Sequence, residues 1–239
     1  KIGAVVVVHI GGLITPKMND IMRICKKNNV PLIEDCAQAY GSTLNGKPVG
    51  SFGIASAFSF QTTKVVTSGE GGIAVTNNNK LYKKFFSNRF YGFDYTSPQK
   101  FVSEGNNLIM TELAALMGVC DLQRSKRRIK KRIKLAKRYQ YLLKNSSWKT
   151  LSTNKNSTSS YYKQIILSPI QRDIVEEEFK KNKISMTGGV YYVPLHRQPI
   201  LGIKRDNQFK NSSFFSDYHF CPPCYPELKI SDVDHICKV

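Results

Sequence analysis

One lysine and one aspartate in the N-terminal part of the chain have the side-chain types for carbonyl chemistry. Lys64 lies in "FSFQTTKVVTSGEGG", residues 58–72, after a predicted strand at 55–60 and before a glycine cluster. An amine that attacks carbonyl groups near neutral pH needs surroundings that disfavour its charged form and an electron sink beside it. A loop lysine is more often simply solvated, so Lys64 alone does not establish catalysis.

Asp35, in "IEDCAQ", supplies a carboxylate after the apolar segment 30–34. Open α/β sheets place ligand-binding groups at the carboxyl ends of their strands, and a carboxylate there needs a cationic partner. That partner is either Lys64 or the protonated ring nitrogen of a bound pyridine cofactor, and pyridoxal phosphate would use both residues at once. The structural alternative is that Asp35 is the N-cap of a helix in the following "CAQA" segment.

The pattern of apolar residues predicts an α/β scaffold for these two residues. Apolar segments at 3–9 and 30–34 flank a helical pattern that opens at Thr15-Pro16, which indicates a βαβ unit of a parallel sheet. Further strands are predicted at 55–60 and 72–76, and further helices at 79–90 and 111–122. A polar loop at 145–160 precedes a smaller α+β domain with a strand at 161–167, a helix at 173–182, strand-like segments near Tyr191 and a last helix from Ser231.

Composition indicates a globular, cytoplasmic protein. Of the 239 residues, 41% are hydrophobic, and no apolar run approaches the roughly 18 residues of a membrane span. No secretory signal is visible, and six cysteines are too sparse for a disulfide scaffold. We therefore expect reduced thiols and no membrane partner.

The net charge of +19 raises nucleic acid as a partner. Residues 124–138, "RSKRRIKKRIKLAKR", carry ten basic side chains and no acidic one. Apolar residues recur there at helical intervals, which places the basic side chains on the solvated faces of a helix. Without an interleaved aromatic platform, nucleic-acid binding is the weaker interpretation, and the sequence does not reveal the source of the charge.

A zinc site is the second alternative, because "CPPC" brings Cys221 and Cys224 two residues apart, with His219, His235 and Cys237 nearby. A single CxxC with loosely spaced partners is a weak signal, and thiols inside apolar patterns pack as small hydrophobes. We predict no metal.

Five segments in order, "IEDCAQAYGS", "GKPVGSFG", "FSFQTTKVVTSGEGG", "NNLIMTELAAL" and "YYVPLHRQP", resemble the DegT/DnrJ/EryC1/StrS family of pyridoxal phosphate-dependent sugar aminotransferases. The resemblance implies the fold-type I α/β scaffold with a mostly parallel sheet. Residues 1–122 would form the C-terminal half of the large cofactor-binding domain, and 123–239 a linking helix and the small C-terminal domain. Members carry a further N-terminal segment that grips the cofactor phosphate, so we expect weak or no activity from this chain alone.

The resemblance also implies roles for residues that match the family's motifs. Lys64 matches the lysine that binds the cofactor covalently and moves the substrate proton, and Asp35 matches the aspartate that faces the pyridine nitrogen. Gln38 matches a cofactor-contacting glutamine, and Ser59 matches a hydroxyl bonded to the phosphate.

Three further residues match family positions outside this group. Asn107 lies where the family supplies an asparagine to the phosphate of the neighbouring subunit, which implies a homodimer with shared sites. Here "GNNLIM" departs from the family's "GYNYRM", with Leu108 and Ile109 in place of an aromatic residue and arginine. Tyr191 and His196 match a segment near the sugar-nucleotide site.

The function that the resemblance implies is transfer of an amino group from glutamate or glutamine to a keto sugar nucleotide, in amino-sugar or surface-polysaccharide biosynthesis. Some members have histidine in place of the lysine and dehydrate sugars instead. Because Lys64 is retained, transfer is favoured over dehydration. An inactive or partner-dependent fragment of such an enzyme is the other alternative.

Overall fold

The computed structural model describes residues 1–97, 99–153, 155–186, 188–202 and 206–239. They form two compact units, Lys1–Arg127 with Thr153–Ser160, and Arg128–Ser152 with Tyr161–Val239. Among the described residues, no helix combines the length and the apolar character that crossing a bilayer requires.

The first unit is built on a four-stranded sheet. Its strands are β1 (Val5–Val8), β2 (Leu32–Asp35), β5 (Ala55–Ser59) and β6 (Gly72–Val75), in the spatial order β1-β2-β5-β6. The first three are parallel, and β6 runs antiparallel to β5. A second, small sheet contains β3 (Thr43–Leu44), β4 (Lys47–Pro48) and β8 (Ser157–Thr158). The carboxyl ends of β1, β2 and β5 therefore share one edge of the main sheet.

The two faces of this sheet differ in burial. On the face that we call the buried face, Val7, Glu34 and Ser56 lie side by side and are buried. On the opposite face, the open face, Val8, Asp35 and Ala57 lie side by side, and each is partly or largely exposed. Strand alternation turns every second residue of β1 to this uncovered side, so the apolar side chains of Val6 and Val8 are exposed.

The helices of the first unit are α1 (Met18–Lys27), α2 (Asn79–Arg89) and the start of α3 (Glu112–Leu143). Helix α1 begins later than the predicted Thr15-Pro16, because Thr15 forms a turn in which its carbonyl accepts from the Met18 amide, 3.1 Å away. Met18 and Cys25 turn into a core that includes Ile14, Leu32 and Leu44.

The described residues of the second unit form a three-stranded antiparallel sheet, the C-terminal part of α3 and three further α-helices. The strands are β7 (Lys149–Thr150), β9 (Ile166–Leu167) and β10 (His219–Phe220), and the helices are α4 (Arg172–Lys181), α5 (Lys210–Tyr218) and α6 (Ile230–Ile236). The strand predicted at 161–167 is thus only two residues long, and turns replace the strand expected near Tyr191. The last helix begins one residue before the predicted Ser231, with Lys229 as its N-cap and Asp232 completing a capping box.

In the second unit, the C-terminal part of α3 packs through its uncharged face. Leu135, Ala136 and Tyr139 are buried, and the Tyr139 hydroxyl donates to the Pro223 carbonyl over 2.9 Å. Arg132 is partly buried, and its guanidinium donates to three carbonyl oxygens, those of Tyr161, Tyr162 and Cys224. Seven of the ten basic side chains of residues 124–138 are exposed, at positions 124, 126, 127, 130, 131, 134 and 137. The predicted division into apolar and solvated faces is confirmed.

Candidate active site

Asp35 ends β2 on the open face at the carboxyl edge of the sheet. One carboxylate oxygen, Oδ1, accepts from the Ala37 amide over 3.0 Å, and the backbone carbonyl accepts from the His9 amide over 3.0 Å. The carboxylate thus caps a turn at residues 37–41, where the structural alternative predicted the start of a helix. Among the described residues, no lysine, arginine or histidine forms an ion pair with it. A half-buried carboxylate without a basic partner can accept a cationic ligand.

The loop that carries Lys64 leaves β5 and returns to it at Phe60. The Phe60 amide donates to the Gly71 carbonyl and the Ser68 amide donates to the Phe60 carbonyl, both over 2.9 Å. Inside the loop, the Lys64 amide donates to the Gln61 carbonyl over 2.9 Å. The loop is therefore closed at its base, and its position is fixed relative to β5.

Burial and a helix contact hold the far side of this loop. Val65 and Val66, next to Lys64, are buried, whereas Thr62 and Thr63 are exposed. The Thr67 amide donates to the Asp121 carboxylate of α3 over 3.0 Å, within the first unit. The half-buried Lys64 thus lies where an anchored stretch of backbone meets the solvent.

Strand register brings Ser59 and Asp35 to the same edge. Asp35 pairs with Ala57, and Ser59 is two residues farther along β5 on the same face. With strands about 4.8 Å apart and about 3.3 Å of rise per residue, the two Cα atoms are roughly 8 Å apart. The Ser59 hydroxyl accepts a 3.4 Å hydrogen bond from the Gln61 amide at the start of the Lys64 loop. A ligand on the open face can therefore meet the carboxylate and the hydroxyl together.

Gln38 joins the loops that follow β1 and β2. Its Oε1 accepts from the Gly11 amide over 2.7 Å. The next residue, Gly12, has φ of +92° and lies so close to Ser160 that an added Cβ would come within 2.7 Å of the serine hydroxyl. The Gly12 carbonyl accepts from the hydroxyls of Ser42 and Ser159, over 2.7 and 2.9 Å. Residues 157–160, predicted as loop, therefore brace this end of the sheet.

A buried carboxylate next to Asp35 was not predicted from the sequence. Glu34 is fully buried, and its two oxygens accept four hydrogen bonds, from His9 Nε2 and from the backbone amides of Gly50, Phe52 and Gly53, over 2.6 to 3.0 Å. Burial raises the pKa of the Glu34 carboxyl, but these hydrogen bonds outweigh it and lower the pKa below its usual range. The signal in the sequence was a glutamate inside the apolar run "PLIED".

Asn107 also belongs to the first unit, outside the strands of its two sheets. It pairs with Phe90 in an isolated antiparallel bridge, and its side chain is exposed. The neighbouring Leu108 amide donates to the Arg89 carbonyl over 3.0 Å. The departures from the family motif at positions 108 and 109 therefore leave Asn107 in an ordered segment at the surface.

Tyr191 and His196 lie in the second unit. Tyr191 is 56% exposed. His196 is buried, lies 3.0 Å from the Ser213 hydroxyl through Nε2, and stacks on the Phe209 ring with a centroid separation of 4.7 Å. These contacts support a packing role for His196, and Tyr191 retains an exposed ring that a ligand can reach.

The cysteine pair of the zinc alternative is also in the second unit. Burial raises the pKa of Cys221 to about 12 and that of Cys224 to about 11. The Cys224 thiol donates to the Arg132 carbonyl over 3.9 Å. Metal ligation needs a thiolate, so both environments suit packed thiols better than ligands.

The sequence profile of the DegT/DnrJ/EryC1/StrS aminotransferase family matches residues 1–239. The chain belongs to this family. It is 30% identical to a GDP-perosamine synthase of Escherichia coli O157:H7, over 100% of this chain and 65% of the relative. It is 28% identical to a UDP-4-amino-4,6-dideoxy-N-acetyl-beta-L-altrosamine transaminase of Campylobacter jejuni, over 98% of this chain and 64% of the relative.

Solved structures confirm the predicted fold class. A DegT DnrJ EryC1 StrS aminotransferase from Brucella abortus superposes with a TM-score of 0.88 at 25% identity, covering 98% of this chain and 62% of that one. Spr1654 from Streptococcus pneumoniae, solved in a PLP form, gives 0.88 at 22% identity, covering 98% and 66%. The chain thus spans less than two thirds of the curated relatives' length, at 64 to 65%.

Proposed function

We propose that the protein containing this chain is a pyridoxal phosphate-dependent aminotransferase that moves an amino group from glutamate or glutamine to a keto sugar nucleotide. Its family membership supports aminotransferase chemistry, and the names of the relatives support a sugar as the acceptor. The donor and the individual sugar are the finer parts of the proposal. Retention of Lys64 favours amino transfer over dehydration.

One observation in the structure supports the cofactor most. Asp35 presents a half-buried carboxylate on the open face, and no basic side chain among the described residues neutralises it. A protonated pyridine nitrogen is a cation of matching size and charge. The Ser59 hydroxyl, roughly 8 Å away along the same edge, can donate to a phosphate at the other end of the ring. The residues present therefore fit pyridoxal phosphate.

Each residue at this edge would have a distinct task. When bound, pyridoxal phosphate supplies the electron sink that amino transfer requires. Lys64 would hold the cofactor through its amine and would move the proton between the substrate carbon that carries the amine and the cofactor carbon bonded to the same nitrogen. Asp35 would keep the ring nitrogen protonated, and Ser59 and Gln38 would orient the ring from opposite sides of β2.

We further propose that the active enzyme is a homodimer. The first turns of α3 expose an apolar face made by Leu113, Leu116 and Met117, at 77, 62 and 54%. Such a contiguous exposed apolar surface is typical of a protein interface. Asn107, exposed five residues before α3, would then donate to the phosphate in the neighbouring subunit.

The test is chemical trapping of the cofactor on the full-length protein. Pyridoxal phosphate is added, the adduct is reduced with borohydride, and the digested peptides are analysed by mass spectrometry. We expect the adduct on Lys64, no adduct in Lys64→Ala, and an unchanged adduct in Lys47→Ala, a control at an exposed lysine of β4. Labelling of several surface lysines without preference would refute the assignment. A panel of keto sugar nucleotides with glutamate and glutamine then tests the substrates.

A further inference from the structure

Three hydrogen bonds connect the end of β1 to the end of β2. The His9 amide donates to the Asp35 carbonyl over 3.0 Å, and the His9 ring Nε2 lies 3.0 Å from Glu34 Oε2. Two residues later, the Gly11 amide donates to Gln38 Oε1 over 2.7 Å. Two of the three thus end on residues that the proposed function places at the cofactor.

The same region could be taken for a metal site, because His9, Glu34 and Cys36 bring ligand atoms within 4.8 Å of one another. The hydrogen bonds argue against it. Both Glu34 oxygens already accept two donors each, which uses their lone pairs. Burial, with the nearby Glu34 and Asp35 charges, raises the pKa of Cys36, so this thiol stays protonated. The cluster is a hydrogen-bond hub.

The hydrogen bonds around His9 favour one tautomer of its ring. Its Nδ1 is buried without a hydrogen-bond partner among the described residues. A protonated Nδ1 would be a buried donor without an acceptor, which costs more than a bare acceptor nitrogen. The neutral ring with its proton on Nε2 therefore donates to the ionised Glu34. Glu34 in turn holds the turn 50–53 against the buried face.

We infer that His9 and Glu34 are positioning residues for Asp35 and Gln38. This inference rests on the proposed function. The pair fixes the β1 terminus against β2 from the buried face, so that the Asp35 carboxylate and the Gln38 amide are held on the cofactor side. Gln38 presents Oε1 to Gly11, which leaves its Nε2 as a donor for the ligand. A displacement of about 1 Å at such a site can lower function by about a hundredfold.

The test uses His9→Leu, His9→Gln and the control Val7→Ala in the full-length protein. Glutamine can place a donor near the Nε2 position, leucine cannot, and Val7 is a buried neighbour on β1 that makes no side-chain hydrogen bond. For each we would measure the free energy of unfolding, the dissociation constant for pyridoxal phosphate and the pH midpoint of the cofactor's visible absorption band. At matched loss of stability, we expect His9→Leu to bind about tenfold to a hundredfold more weakly than Val7→Ala, with a moved pH midpoint. His9→Gln should restore most of the cofactor affinity and most of the original pH midpoint.

Equal cofactor affinity and equal pH midpoints in His9→Leu and Val7→Ala would overturn the inference and leave the proposed function intact. If His9→Leu does not fold, His9→Gln is compared with His9→Asn, whose shorter side chain cannot reach Glu34. Equal affinities in that pair would also overturn it. Absence of the Lys64 adduct in the unmodified protein would instead refute the proposed function, and the inference with it.

Discussion

Glu34 and Asp35 are neighbours on β2, yet the two faces of the sheet treat their carboxylates in opposite ways. On the buried face, Glu34 has four donors from the protein itself. On the open face, Asp35 has one backbone donor to its side chain and no basic partner among the described residues. A carboxylate saturated by its own fold stabilises that fold, whereas one left partly unsatisfied is available to a ligand. This contrast favours Asp35, and not Glu34, as the acid that contacts a ligand.

The largest expected effect is on stability, from Glu34→Gln. The amide would turn a donor group toward backbone amides and leave buried donors unsatisfied, at a cost of about 3 kcal/mol. Urea unfolding of the full-length protein measures it, and Glu70→Gln, at an exposed position, is the control. A decrease of less than about 1 kcal/mol in the free energy of unfolding would show that the hydrogen bonds of Glu34 contribute little to the stability of the buried face.

Asp35→Asn should have the opposite effect, with little loss of stability and a large loss of activity. Asparagine can still accept from the Ala37 amide, so we expect the free energy of unfolding to change by less than about 1 kcal/mol. Loss of the charge facing the ring nitrogen should lower the rate of amino transfer by about a hundredfold or more. Steady-state kinetics next to urea unfolding give both values. A stable variant with full turnover would assign Asp35 to capping alone.

Acidification should affect the two units in different pH windows. In the second unit, burial lowers the pKa of His219 below its ordinary 6.5, and its Nε2 accepts from the Val190 amide over 2.9 Å. In the first, the pKa of Glu34 lies below its ordinary 4.5. The two side chains therefore contribute their full share of the free energy of unfolding above their ordinary pKa. Each contribution is lost as the pH falls toward the pKa of that group in the folded state.

Hydrogen exchange, corrected for the intrinsic pH dependence, measures these windows. Protection of the Val190 amide should decrease as the pH falls below 6.5, whereas protection of the Gly53 amide should decrease only below 4.5. His219→Gln keeps an acceptor for Val190 without a titrating group and should remove the first decrease. If the protection of both amides decreased over the same pH range, the loss would be a single cooperative transition instead.

The smallest effect should come from Ser56→Ala. The Ser56 hydroxyl donates to the Gly50 carbonyl over 3.0 Å, on the same turn that Glu34 holds. Because Glu34 retains its own donors, we expect a cost of about 1 kcal/mol and no change in cofactor binding. Urea unfolding and cofactor titration test this. A larger loss would mean that Ser56 and Glu34 act as one unit, which the double variant would reveal as non-additivity.

The sequence was sufficient for those features that depend on local pattern. Alternating apolar segments and helical intervals predicted the parallel strands and the solvated basic face of α3, and the ordered motifs predicted the family. Contacts between distant segments were not readable. The role of Glu34 depends on the turn 50–53 and on His9, 25 residues away in sequence, and the two-residue strand β8 pairs with β3 across more than a hundred residues. Periodicity carries no information about such partners.

The element ends were predictable only within a few residues. A proline after threonine is a strong start signal, yet a turn at Thr15 delays α1 until Met18. The open face could not be anticipated either, because an apolar strand has the same sequence whether its second side is covered or not. Of the candidate site, the identity of Lys64 and Asp35 was available from the sequence, and the difference between Asp35 and Glu34 needed the structure.

The most direct measurement is a crystal structure of the full-length protein with pyridoxal phosphate. We predict a covalent bond from the cofactor to Lys64 Nζ and a hydrogen bond of about 2.8 Å from the ring nitrogen to the Asp35 carboxylate. Glu34 should keep its four protein donors. A cofactor ring that leaves Asp35 without contact, or that binds on the Glu34 side of the sheet, would refute the assignment of Asp35 to the ring nitrogen.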